Sequence, residues 1–261
     1  MEKSTVLGML VGVVAISVGM VLKGANLSIL LNYAAIMIIF VGTLASLLNA
    51  FPLAQIKKLP VLFKLLFKEQ QLMPRTELLK LFVEMAQTAR REGLLALEGR
   101  LEEISDPFLR NGLMMVVDGM DTELIRDVLE AEIELMQERH SKGALMFTQA
   151  GTYAPTLGVL GAVVGLIAAL GNLDDIEKLG HSIAAAFVAT LFGIFSGYVM
   201  WHPFANKLKF LSKNEVELKR MMIEGILSLQ AGESPNALEA KLVVFIPQSE
   251  RASLKEKREE K

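Results

Sequence analysis

Apolar and charged positions along the chain separate into long blocks. Four windows hold no Asp, Glu, Lys or Arg: Ser4 to Leu22, between Lys3 and Lys23; Gly24 to Ile56, between Lys23 and Lys57, with its apolar centre near Leu27 to Leu53; Gly143 to Leu173, from Lys142 to Asp174; and Leu179 to Asn206, from Lys178 to Lys207. A helix that crosses a bilayer needs about 20 such residues, and one central charge costs roughly 2.5–3.5 kcal/mol on the insertion scale. The pattern therefore predicts four transmembrane helices. A cleaved signal peptide is the rival reading of the first window, but its charge-free length is generous and no clear A-x-A site follows near Lys23.

The connections set the orientation. Those around Lys23 to Asn26 and Asp174 to Lys178 are short and carry little positive charge, whereas Lys57, Lys58, Lys64 and Lys68 follow the second window and Lys207, Lys209 and Lys213 follow the fourth. Excess lysine marks the cytoplasmic side, so both termini are expected there. The chain thus reads as an all-α polytopic membrane protein. Residues 1–54 form transmembrane helices 1 and 2, residues 55–142 a cytoplasmic helical region, residues 143–206 transmembrane helices 3 and 4, and residues 207–261 a cytoplasmic helical extension with a charged tail.

Within the cytoplasmic region, Leu78, Leu79, Phe82, Met85, Ala86 and Ala89 recur at three- and four-residue spacing and predict one buried helical stripe. Asp106-Pro107 reads as an N-cap with proline at the first helical position, opening a helix with Phe108, Leu109, Leu113 and Val116. Asp121 or Thr122 caps a longer pattern through Leu124, Ile125, Val128, Leu129, Ile133 and Met136, and the third span is expected to continue that helix with little break. The fourth span is expected to run on through Leu208, Leu211 and Leu218. Pro247 to Lys261 is mostly charged and polar, which predicts disorder or a helix extension ordered only in part.

Composition agrees. Apolar residues make up 52% of the chain before glycine is counted, charged residues 21%, and mean hydropathy is +0.42, above the range of a soluble domain. Lys plus Arg, 27, nearly balances Asp plus Glu, 29, so no charge excess points to nucleic acid. The absence of cysteine removes disulfides, thiolate metal sites and thiol nucleophiles. No H-E-x-x-H, G-x-S-x-G or P-loop occurs, and His140, His181 and His202 lack metal-ligand spacing. The chain is not expected to be an enzyme, nor to carry a cofactor.

Gly8 with Gly12, Gly42 with Ser46, Gly161 with Gly165 and Gly193 with Gly197 recur at the spacing that lets membrane helices approach closely; packing within one chain and oligomerisation are both open readings. The four windows offer no intramembrane carboxylate, the usual ion carrier of pumps and relays. Either the chain moves no ions, or a titrating carboxylate comes from another polypeptide. Pro155 and Thr156 in the third window, Thr190 and Ser196 in the fourth, and Pro203 near its end supply a freed carbonyl and hydroxyls, features tolerated where helices line a polar path.

Two stretches, with the two-loop-two topology, resemble the A subunit of the bacterial flagellar motor stator, the MotA/PomA branch of the MotA/TolQ/ExbB family. One runs from Gly151 through Pro155, Gly158, Gly161 and Ala162 to Ile167, and continues with His181 to Phe187 and Thr190 to Gly197, ending at Pro203. The other runs from Ala89-Arg90-Arg91-Glu92-Gly93 to Glu98. The resemblance covers nearly the whole chain up to about Leu229.

The resemblance implies a ring, a homo-oligomer thought to be a pentamer, around a dimer of a MotB-type B subunit that supplies the transmembrane aspartate, in the bacterial cytoplasmic membrane with its lipid. Pro155 and Pro203 match prolines implicated in ion coupling, Thr190 matches a hydroxyl residue lining the path, and Arg90 and Glu98 match the charged pair that engages the rotor protein FliG. Sodium-driven members tend to carry threonine where this chain has Ala162, and a Thr-Thr pair where it has Ala189-Thr190. Fewer hydroxyls mean fewer oxygen ligands for a dehydrating cation, which favours H+ over Na+ as the transported ion. Two alternatives stand beside this expectation. An envelope energiser of the ExbB or TolQ kind usually has one span before the large loop, not two; a non-conducting membrane scaffold needs no intramembrane carboxylate.

Overall fold

A computed structural model describes residues 3–251, and every regular element among them is helical. Among the described residues, four helical runs are long and apolar enough to cross a membrane: Lys3–Leu22, Leu27–Ala50, Thr122–Leu170 and Ile176–Gln230. Contacts divide the chain into two units. The first comprises residues 1–70 and 139–210, the second residues 71–138 and 211–261.

The first unit holds the apolar windows. Its opening helix, Lys3–Leu22, buries only Thr5 and leaves Leu7, Leu10, Val11 and Leu22 more than half exposed, the surface of a helix whose other solvent is lipid. Two asparagines shape the start of the second span. Asn26 accepts from the Ser28 amide at 3.0 Å and Asn32 from the Ala35 amide at 3.1 Å, satisfying donors that a helix start leaves open. This span is α-helical over Tyr33–Ile36, a π-turn over Met37–Val41, and α-helical again over Gly42–Ala50. It stops at extended Phe51, followed by Pro52. A short helix, Leu59–Phe67, buries Leu59 and Leu66. The unit's centre is aromatic: the Phe63 ring meets Phe147 at 5.0 Å, Trp201 at 5.7 Å and Phe204 at 6.2 Å between centroids, all edge-on. Edge-to-face contact sets the negative face of one ring against the positive edge of the next.

The second unit is a pack of helical segments. Arg75–Glu92 turns Leu78, Leu79, Phe82, Met85 and Ala86 into its core, as the three-and-four spacing predicts, while Ala89 is half-buried. Asp106 caps Pro107–Val117 by accepting from the Phe108 and Leu109 amides at 2.9 and 3.1 Å. Asp121 caps the next helix, accepting from the Glu123 amide at 2.8 Å. That helix, Thr122–Leu170, is continuous for 49 residues, so the third span does extend the preceding pattern. Its buried row is narrower than expected: Ile125, Leu129, Ile133 and Met136 are inside, but Leu124 and Val128 are 51% and 40% exposed. With 3.6 residues per turn, positions one before each buried residue rotate about 100° off the core face. The fourth span likewise runs on as His202–Gln230, and Pro235–Leu242 completes the unit. Residues 248–251 are helical; the rest of the expected tail, including Lys255 to Lys261, lies outside the described residues.

Candidate functional site

The third and fourth spans meet along a seam in which glycine brings backbone against backbone. A methyl group placed on Gly193 would lie 2.7 Å from the Ala154 carbonyl oxygen and 2.8 Å from Gly158 Cα; on Gly158, 3.0 Å from Gly193 Cα. Farther along, a methyl on Gly161 would lie 2.8 Å from Ala189 Cβ, and on Gly165 2.8 Å from Ala186 Cβ. Small residues permit this approach where no hydrophobic force drives helices together. Of the glycine pairs read from the sequence, Gly193 and Gly197 lie in this seam, and so do Gly161 and Gly165. Gly12 packs against Val199 and Phe195, whereas Gly8 has nothing within 4 Å.

Pro155 stands at one end of the seam. It lies inside Thr122–Leu170 and, having no N–H, cannot donate to the carbonyl of Gly151, four residues earlier. Gly197 closes on that place: a methyl on Gly197 would lie 2.7 Å from Pro155 Cγ and 2.9 Å from the Gly151 oxygen. The His202 ring covers Gly151 itself, whose added methyl would sit 2.8 Å from the ring, and the Tyr198 ring lies 5.5 Å from His202. Thr190 lies across the seam from Gly158, with its Cα 3.4 Å from a methyl placed there, and its hydroxyl donates back to the Ala186 carbonyl at 3.4 Å. Ala162, half-buried, follows seam residue Gly161.

Pro203 is placed differently. The fourth span passes through a π-turn, Ser196–Trp201, in which the His202 amide donates to the Gly197 carbonyl five residues back. Proline at 203 can make no such bond, so the wider turn ends where the donor runs out. Pro203 is exposed and lines a groove with Thr5 of the first span. Of the four residues that sequence reasoning groups along the path, the fold brings Pro155 and Thr190 to this seam, leaves Ala162 next to seam residue Gly161, and sets Pro203 on another face. It missed both π-turns and the His202–Gly151 contact. Its available signals were Pro203 for the π-turn of the fourth span and Gly151 for the ring contact; the second span offers none that we recognise.

Arg90 and Glu98 lie in the second unit. Arg90 is in the last turn of Arg75–Glu92, which ends at Gly93 with φ +85°; this left-handed conformation favours glycine. Glu98 opens the short helix Glu98–Leu101, which Arg100 ties back to Glu84 at 3.3 Å. Both side chains are exposed. At the head of the fourth span, Asp175 accepts from the Lys178 amide at 3.1 Å and pairs with its ammonium at 3.1 Å, which holds the carboxyl below its ordinary value. Among the described residues no group of three or more His, Cys, Asp or Glu is placed to hold a metal ion.

Residues 100–221 match the MotA/TolQ/ExbB proton channel family. The chain is 56% identical to Motility protein A of Bacillus subtilis over 259 residues, 99% of this chain and 96% of that protein. Its fold matches the structure of the flagellar MotAB stator complex from Bacillus subtilis with a TM-score of 0.92 at 56% identity, covering 97% of this chain and 99% of that one. It also matches C. jejuni MotAB with a TM-score of 0.90 at 35% identity, covering 95% and 97%. The chain belongs to the MotA/TolQ/ExbB proton channel family.

Proposed function

We propose that this chain is the ion-conducting A-type subunit of a bacterial flagellar motor stator, a multi-pass membrane protein that works with a MotB-type partner. The observation that carries the reading is the full-length likeness, in sequence and fold, to the chain of a MotAB stator complex. The seam fits the role. It offers a carbonyl released by Pro155 and the Thr190 hydroxyl, but its spans hold no Asp, Glu, Lys or Arg, so the titrating carboxylate belongs to the partner. One elementary charge crossing 100 mV yields about 2.3 kcal/mol, and torque then requires that repeated passages be coupled to movement of the helices that line the path.

In this reading the transported ion is H+, because alanine at 162 and 189 leaves Thr190 as the seam hydroxyl of that stretch, too few oxygen ligands to replace the water of Na+. The lysine-rich connections and both termini face the cytoplasm of the cell membrane, and copies of the chain assemble as a ring, a pentamer, around a partner dimer. Exposed Arg90 and Glu98, held on either side of the Gly93 turn, meet complementary charges on the rotor protein FliG. Envelope energising of the ExbB or TolQ kind is the second reading; the two spans before residue 55 speak against it.

Motility in a stator-deleted host tests the proposal. The wild-type chain with its B-type partner restores swimming, Arg90→Glu and Glu98→Lys weaken it while membrane insertion and partner binding persist, and speed is flat against sodium concentration at fixed proton motive force. Failure to restore swimming despite insertion and partner binding overturns the stator reading. Full speed in both charge reversals overturns the rotor contact, and collapse without sodium overturns the proton assignment.

A further inference from the structure

Four hydroxyls of the membrane spans are satisfied locally. Ser46, Thr148, Thr152 and Thr190 each donate to the carbonyl four residues earlier, at 3.0, 3.1, 3.1 and 3.4 Å. Thr43 differs. It is 1% exposed, yet among the described residues its hydroxyl has no hydrogen-bond partner. The cause lies in the π-turn Met37–Val41, at whose exit the Gly42 amide donates to the Ile39 carbonyl, the acceptor four residues before Thr43. The buried indole N–H of Trp201, the last residue of the other π-turn, is likewise without a partner among the described residues. A polar group buried at membrane depth is costly unless it is hydrogen-bonded.

The two groups lie at one level of the unit. Ile39, Thr43 and Leu47 are buried at four-residue spacing along the second span. Ile39 belongs to one apolar cluster and Leu47 to the next, and Trp201 packs against both. The third span gives the same register. A methyl on Gly42, the neighbour of Thr43, would lie 3.2 Å from Leu157 Cδ1, and one on Gly197 2.7 Å from Pro155 Cγ. Gly42 and Gly197 thus meet the third span two residues apart, about 3 Å of rise. Trp201 is four residues beyond Gly197, but a helical side chain leans toward the N-terminus, which carries the indole back to that level.

We propose that one buried water joins them, accepting from the Trp201 indole and donating to the Thr43 hydroxyl oxygen. A buried water typically satisfies two to four polar groups that have no other partner, and two ordinary hydrogen bonds in series span about 5–6 Å. The indole only donates, which excludes a metal cation from the same place. The water fastens the end of one π-turn to a residue just past the other, so the second span is tied to the segment of the fourth that leads to Pro203. The inference goes beyond the stator reading and needs neither the identity of the ion nor a rotor contact.

Trp201 is the single tryptophan of the chain, so ultraviolet resonance Raman spectroscopy of the complex with its B-type partner reads it directly. The band sensitive to indole hydrogen bonding is taken as the difference between wild type and Trp201→Phe. The wild type shows a hydrogen-bonded indole, Thr43→Val moves the band to the position of a free N–H, and Thr43→Ser retains it. Thr148→Val, which removes a hydroxyl already bonded to Ala144, leaves the band unmoved. A cryo-electron microscopy map of the same complex shows one density peak within hydrogen-bond distance of Trp201 Nε1 and Thr43 Oγ1. A free indole in the wild type, a band unmoved in Thr43→Val or lost in Thr43→Ser, an equal shift in Thr148→Val, or a map in which the two groups meet directly or with no peak between them overturns the proposal. Should Thr43→Val fail to assemble, the wild-type band and map decide.

Discussion

Gly193→Ala perturbs the seam at its tightest point. The added methyl lies 2.7 Å from the Ala154 oxygen, 2.8 Å from Gly158 Cα and 3.1 Å from the Gly158 nitrogen, whereas ordinary contact begins at 3.4 Å. It therefore stands about 0.7 Å inside contact. All three obstacles are backbone atoms of the facing helix, so no side-chain rotation relieves them; the helices must part. Overpacking of this kind costs about 1–3 kcal/mol, and each kcal/mol corresponds to about 2–4 °C of melting temperature for a chain of this size. A loss of 2 kcal/mol therefore lowers the midpoint by roughly 4–8 °C. The assay is thermal unfolding of the complex in one detergent, followed by helical circular dichroism, with swimming measured in a stator-deleted host. Gly19→Ala is the control, since nothing lies within 4 Å of a methyl there, and alanine suits a helix interior better than glycine. The reasoning fails if Gly193→Ala melts and swims like the wild type, because the helices of the working assembly would then not touch at this place.

Pro155→Ala supplies an N–H to the Gly151 carbonyl and removes an interior proline, a change worth up to about 3 kcal/mol in a helix. The variant is expected to melt at or above the wild-type temperature while swimming slows; unchanged swimming would show that the released carbonyl is not used. Glu233 gives a pH dependence. The Lys241 hydrogen bond holds its carboxyl below the ordinary value of 4.5. A depressed carboxylate adds stability that is full above pH 4.5 and is lost as pH falls through the lower folded value. Glu233→Gln should melt below the wild type at neutral pH, and the gap should close in acid; a gap constant across that range contradicts the linkage.

The spans were legible because a charge in lipid is so costly that its absence over 20 residues is a strong signal. The Asp106 cap was legible for a local reason: a side-chain oxygen satisfies amides two and three residues on. What the sequence hid depends on partners far along the chain. Gly8 and Gly12 share the spacing of a packing pair, yet only Gly12 meets another helix, and periodicity does not say which face is covered. Leu124 and Val128 carry the same hydrophobicity as buried Ile125 and Leu129 but fall off the core face. Lys207 reads as a marker of membrane topology, and only the fold brings it to Thr5, 202 residues away. Among the site residues, Pro155 and Thr190 were legible as chemistry, but their closeness to Gly197 and Gly158 follows from the pairing of two helices.

That pairing gives the two prolines distinct physical positions. At Gly158 and Gly193 the seam is backbone on backbone, and at Gly161 and Gly165 it is closed by the short methyls of Ala189 and Ala186, so displacement of one helix is passed to the other with little loss. At Gly151, Pro155 and Gly197 the regular ladder is interrupted: one carbonyl has lost its helical donor, and the facing helix is entering a π-turn. Pro203 ends that turn on another face, where it lines a groove with Thr5 of the first span. A stiff seam with a softened end bends at that end. Strain carried along the seam is therefore taken up in the segment between Gly197 and Pro203.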